Sequence, residues 1–209
     1  MKTSALCAAV AAASVACLSA PAAATDFSYQ GTLTDPNQVL LFNFSVAAPS
    51  TVTLVTYSYA GGTNAAGTSI PRGGFDPILA LFDSTGAKIN ENDDGGSNVP
   101  ADAVTGETFD TFLQSLLNPG TYTVSVMAYS NFSAGDNLSD GFDGGGSFTD
   151  VTGDLRTNAW AFDVLNVDSA VQVVPGVPEA STWAMLVIGF GAAGMSMRRR
   201  KRKLAAARA

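Results

Sequence analysis

The centre of this chain predicts an all-β fold, an antiparallel β-sandwich or jelly-roll-like domain, on three observations. Short apolar stretches alternate with polar residues at a period of two, turn residues separate them, and no helical pattern of useful length occurs between residues 27 and 168. Parallel α/β folds need crossover helices, so they are excluded.

Residues 39–46 and 51–57 alternate in the first two predicted strands. Residues 77–83 form a continuous apolar run closed by Ser84-Thr85-Gly86, after which residues 87–89 return as the second arm of a hairpin. Residues 109–117 fit either a strand or one or two helical turns. The Asn118-Pro119-Gly120 turn and the alternating residues 122–127 favour a hairpin arm. Residues 160–165 supply the last strand. Seven or eight strands in all suit two packed sheets.

A chain of 209 residues suits one such domain between targeting segments. Residues 25–177 carry three basic residues, Arg72, Lys88 and Arg156, against seventeen acidic ones, a net charge of −14. That body repels phosphate backbones, so nucleic acid is not an expected partner. Cations are better candidates. Cys7 and Cys17 are the cysteines of the chain and both precede Thr25, so stability has to come from the core rather than from disulfides.

Residues 1–24 have the form of a signal peptide: Lys2 gives a positive start, residues 5–18 are apolar, and Ala22 and Ala24 offer signal peptidase a small-x-small site before Thr25. Residues 25–174 make the β-domain. The following segment, 175–203, contains an uncharged run over 183–197 that ends at Arg198, Arg199, Arg200, Lys201, Arg202 and Lys203, with 204–209 as a short tail. A membrane helix over about 180–197 would span roughly 22 to 27 Å. Snorkelling Arg and an interfacial Trp183 close the gap to a hydrocarbon core of ~30 Å. The basic cluster then stays cytoplasmic. Inside this run, residues 189–194 match a dinucleotide-binding G-x-G-x-x-G by accident, since the strand, helix and acidic residue that motif needs are missing around it.

The order Val177, Pro178, Glu179, Trp183, Ala184, apolar run, basic stop resembles the PEP-CTERM sorting signal of the PEPxxWA type, with Ala180 in place of its second Pro. This resemblance implies recognition by an exosortase near Pro178-Glu179-Ala180. It also implies export through the inner membrane, a membrane-anchored precursor, and a final place at the cell surface or outside. Residues 73–83, Asn92-Asp93-Asp94-Gly95, residues 117–124 and Asp140-Gly141-Phe142 together resemble the DVUA0089 family of exported bacterial proteins, and more distantly bacterial pre-peptidase C-terminal sandwich domains. That likeness implies a sandwich and no particular activity.

The chain has no His and the body no Cys, which removes Ser-His, Cys-His and His-metal chemistry. A carboxylate pair of the glycosidase kind needs only two acids facing a cleft, so a secreted carboxylate-based hydrolase stays as the alternative to a non-enzymatic surface or matrix protein associated with exopolysaccharide. Residues 90–95 place oxygen side chains at alternating positions before a Gly, like the first half of a calcium loop. Asp83, Asn92, Asp93, Asp94 and Asp110 are the candidate calcium ligands, with Asp136, Asn137, Asp140 and Asp143 as a second set. The same residues also suit plain turn chemistry in a soluble exported protein. Phe132, Phe142, Phe148 and Trp160 serve either as sugar-stacking platforms or as core, and the strand position of Trp160 favours core.

Overall fold

The computed structural model describes residues 24–174. The chain divides into two compact units, Met1–Val171 and Gln172–Ala209, and of the second the described residues are 172–174. The strands are β1 Thr25–Thr32, β2 Leu40–Val46, β3 Ser50–Thr56, β4 Gly62–Thr63, β5 Ser69–Ile70, β6 Pro77–Phe82, β7 Lys88–Asn92, β8 Phe112–Leu117, β9 Gly120–Ala128, β10 Ala159–Val167 and β11 Ser169–Val173. They form a four-stranded sheet in the order β1-β10-β3-β8, a five-stranded sheet in the order β11-β2-β9-β6-β7, and a small β4-β5 ribbon.

Alternation along β2 and β9 decides which side chains meet between the sheets. Phe42, Phe44, Val124 and Val126 turn inward from the five-stranded sheet, and Val52, Leu54, Trp160, Phe162 and Val164 join them from the four-stranded one in a single buried cluster. The Phe42 ring lies 4.8 Å from Tyr29, 5.8 Å from Trp160 and 5.2 Å from Phe162, tilted or edge-on. Aromatic rings favour these tilted arrangements over face-to-face stacking.

β6 departs from alternation because both of its faces are covered. Leu79 and Leu81 enter the main core, while Ile78, Ala80 and Phe82 pack with Met127 under Val39, Tyr129, Phe132, Leu138 and Phe142. A strand buried on two sides reads as an unbroken apolar run, as residues 77–82 do. The Asp83 carboxylate closes the following turn by accepting from Thr85 N–H at 2.8 Å and from Ala87 N–H at 3.0 Å.

Two expectations are corrected. Residues 112–117 do form a strand, but β8 pairs with β3 while β9 pairs with β2 and β6, so Asn118-Pro119 crosses between the sheets instead of closing a hairpin. β10 is followed by β11, at the edge beside β2. The half-polar β1 and the β4-β5 ribbon were not visible as strands because neither carries a clear apolar alternation.

Gly74 shows how closely the loop before β6 is packed, since an added Cβ would collide with the carbonyl oxygens of Ala159 and Ser58. Phe162→Ala is expected to cost about 3–5 kcal/mol in urea unfolding, whereas Leu116→Ser, at a position 76% exposed, should stay within about 0.5 kcal/mol.

Candidate functional site

Antiparallel pairing of Leu79 with Asn92 puts the start of β6 beside the end of β7. Asp76 immediately precedes β6, and Asp93 and Asp94 immediately follow β7. The Thr111 hydroxyl joins the two ends, hydrogen bonding the carbonyl oxygen of Pro77 and, at 3.0 Å, that of Asp93. Asp110 closes the group through its own carbonyl, which accepts from Gly95 N–H at 2.7 Å. Four acidic residues therefore meet at one end of the five-stranded sheet.

Their carboxylates have different surroundings. Asp110 is fully buried and fully used: Oδ1 accepts from Thr56 Oγ1 at 2.9 Å and Tyr59 N–H at 3.0 Å, and Oδ2 accepts from Ala60 N–H at 2.8 Å. Burial pushes its carboxyl above the usual range, and these donors only partly offset that. Asp76 is 5% exposed, and its Oδ1 is buried without a hydrogen-bond partner. Burial first, and then the charges of Asp94, Asp93 and Asp110, push it up to about 8. Asp94 is also raised, by burial and by Asp93.

Of the expected calcium ligands, Asp93 and Asp94 stand here with Asn92 beside them. The Asn92 amide is committed as a donor to the carbonyls of Asp94 and Phe112, both at 2.8 Å. The Asp110 carboxylate is occupied by protein donors. Asp83 does not belong to the group, because it sits at the opposite end of β6, in the turn to β7. In the second set, Asn137 and Asp140 cap each other around a 3-10 turn at Leu138–Asp140. Among the described residues, no three acidic side chains are arranged to hold a metal by themselves.

A second polar group lies inside the loops. Arg156 is 8% exposed, with its guanidinium 3.5 Å over the Tyr59 ring. It donates to the carbonyls of Tyr59 at 2.8 Å and Gly74 at 3.1 Å, and approaches the carboxylates of Asp102 at 3.4 Å and Asp150 at 4.0 Å. Arg72 grips Asp102 with two hydrogen bonds of 2.7 and 2.6 Å, and the Tyr59 hydroxyl donates to Asp150 at 2.8 Å. Burial alone would raise both acids. At Asp102 it is outweighed by Arg72 and by the N–H groups of Thr105 and Val104, and at Asp150 by Thr152 and Tyr59, so both lie below the usual carboxylate range. Burial lifts the Tyr59 phenol to about 12.

Among the grooves that open on the surface of the described residues are two of substantial volume. The larger, about 670 Å³, runs over the outer face of β2 and β9 between Asn43, Ser45, Thr121 and Thr123 and the Asp83 and Asn137 turns. The other, about 480 Å³, is bounded by Gln30, Arg72 and Trp160. Trp160 is nonetheless 5% exposed, and Phe132, Phe142 and Phe148 pack against the apolar clusters, so these aromatics act chiefly as core.

Thr25 opens β1, its hydroxyl donating to the Val167 carbonyl at 3.2 Å, and Ala24 is exposed just before it. Ala22, the helix expected at 180–197, and the sorting and stop residues Val177, Pro178, Glu179, Trp183, Ala184 and Arg198 to Lys203 lie outside the described residues. Among the described residues no helix is long and apolar enough to cross a membrane. Residues 176–201 match the PEP-CTERM protein-sorting motif. A motif of this class is processed by exosortase, and it marks an exported protein whose precursor is anchored in the membrane. The match covers the tail and leaves the β-sandwich unassigned. No curated protein matches the chain.

Removing the buried cation leaves the Tyr59 and Gly74 carbonyls without their donor and the buried Asp150 without its cation, so Arg156→Met is expected to cost about 3–5 kcal/mol in chemical unfolding. Arg72→Met takes two charge-assisted hydrogen bonds from Asp102, whose side chain is fully buried, while Arg156 stays 3.4 Å away, so it should cost about 1.5–3 kcal/mol. The Asp76 carboxyl has the opposite sign. Folded, it keeps a proton that the unfolded chain, with an ordinary pKa of about 3.9, has already released, so its effect on stability worsens as pH rises from about 4 to about 8. Melting temperatures measured in EDTA at both ends of that window should fall more steeply for the wild type than for Asp76→Asn. Equal slopes would show that Asp76 ionises normally.

Proposed function

We propose that this chain is a non-enzymatic component of the cell surface or extracellular matrix, delivered by its exosortase-processed tail, whose β-sandwich associates with exopolysaccharide. The match over residues 176–201 supports delivery. The groove over β2 and β9 supports the glycan part of the reading. Its floor presents amide and hydroxyl groups from Asn43, Ser45, Thr121 and Thr123, with Asn137 and Ser139 on one wall, the donor and acceptor mixture that sugar hydroxyls require. Membership of the body in the DVUA0089 family is part of the same reading and rests on the phrases between residues 73 and 142.

The competing reading is a carboxylate-based hydrolase. Asp76 has the raised pKa of a general acid, but it is buried and lines neither groove, while Asp102 and Asp150 are tied to arginine. The geometry therefore favours binding over bond cleavage.

Two measurements test this function. Intact mass of the surface-extracted protein should give a chain starting at Thr25 and ending near Glu179, and a mass retaining residues 183–209 in a host with a working exosortase would reduce the tail to an anchor. Sedimentation with the host's exopolysaccharide should be weakened about tenfold by Asn43→Ala with Thr123→Ala, a loss near 1.4 kcal/mol. New reducing ends that vanish on substituting an Asp would instead establish the hydrolase.

A further inference from the structure

We propose that the start of β6 and the end of β7 form a calcium site anchored on Asp76 and completed by the carboxylates of Asp93 and Asp94. This site goes beyond the sorting and glycan reading and does not depend on it.

The first observation is the state of Asp76. Its Oδ1 is buried and accepts no hydrogen bond, although a carboxylate oxygen removed from water is costly unless something replaces the lost hydration. A second observation concerns the neighbours. Within the described residues, neither the Asp93 nor the Asp94 carboxylate takes part in a hydrogen bond, and both lie beside Asp76 through the β6-β7 pairing and the Thr111 bridge.

No side-chain cation of the described residues compensates this group. Arg72 is paired with Asp102, Lys88 with Glu91 at 2.9 Å, and Arg156 with Asp102 and two carbonyls. A bound cation would answer the unpartnered oxygen and the uncompensated charge together.

The donor set selects the cation. It is all oxygen, from the carboxylates of Asp76, Asp93 and Asp94 on two chain ends. Calcium accepts six to eight such ligands in irregular arrangements, whereas magnesium demands a tight octahedron and keeps its waters. Because three acidic side chains are not drawn together into a closed site, and the carbonyls of Asp76, Pro77, Asp93 and Asp94 already accept hydrogen bonds, water has to fill the remaining positions. An open site of that kind belongs with the weak extracellular calcium modules, whose Kd lies at about 10⁻⁴–10⁻³ M.

Equilibrium dialysis of the full-length chain in detergent against radioactive calcium chloride tests the site. The expected result is one calcium per chain with Kd in that range. Asp76→Asn should lower the affinity at least tenfold, and Asp94→Asn should also weaken it. Asp26→Asn, on β1 of the other sheet, should leave it unchanged. Near-ultraviolet circular dichroism checks that Asp76→Asn keeps the fold. If it does not, the more exposed double substitution Asp93→Asn with Asp94→Asn decides in its place. Binding that survives in the folded Asp76→Asn protein or in the double variant, or a wild-type chain that takes up no calcium at about 10⁻² M, overturns the proposal and leaves Asp76 as a buried acid that is protonated or hydrated by water.

Discussion

Arg156 is the cation on which the loop end of the sandwich depends. Three loops with little secondary structure of their own converge on it: the segment after β3 through Tyr59, the segment before β6 through Gly74, and the long connection before β8 through Asp102. A buried guanidinium is tolerated only when its donors and charge are met, so fixing Arg156 fixes all three together. Asp110 does the complementary task with a buried carboxyl, accepting from the backbone N–H groups of Tyr59 and Ala60. In a body without disulfides, these two buried side chains do what cross-links do in many exported domains.

The strands inside the sheets were legible in the sequence because burial on one face leaves an alternation, as along Leu40, Phe42, Phe44 and Val46. The run at 77–82 was legible too, although periodicity alone does not say that a second apolar layer covers Ile78 and Phe82. The edge strands β1 and β11 were not. β1 has one half-buried face, and β11 carries Val171 outward at 61% exposure, so neither displays the pattern. Sheet membership was equally hidden: Asn118-Pro119-Gly120 signals a turn, but which sheet receives the next strand depends on partners far away in the chain.

The acidic site was half legible. Asn92-Asp93-Asp94-Gly95 announces an oxygen-rich loop, and two of its acids do stand at the group. Asp110 reads in sequence as a candidate calcium ligand, and only its three hydrogen bonds reveal a brace. Asp76 escaped notice because an Asp before a Pro reads as turn chemistry. The available signal was the apolar run directly after it, which places that turn at the edge of a buried strand.

The pairing of β1 with β10 bears on the order of events during biogenesis. Thr25 is matched to Val167, so the opening strand has no partner until nearly the whole body has been made. Closing such a loop is entropically costly, and folds dominated by distant pairings form slowly. A nascent chain lacking its last strands cannot complete the four-stranded sheet or seal Trp160 and Phe162 over Phe42. Transport across a membrane as an extended polypeptide is favoured by that delay, since the folding reaction becomes available only once the C-terminal strands have followed the rest of the domain through.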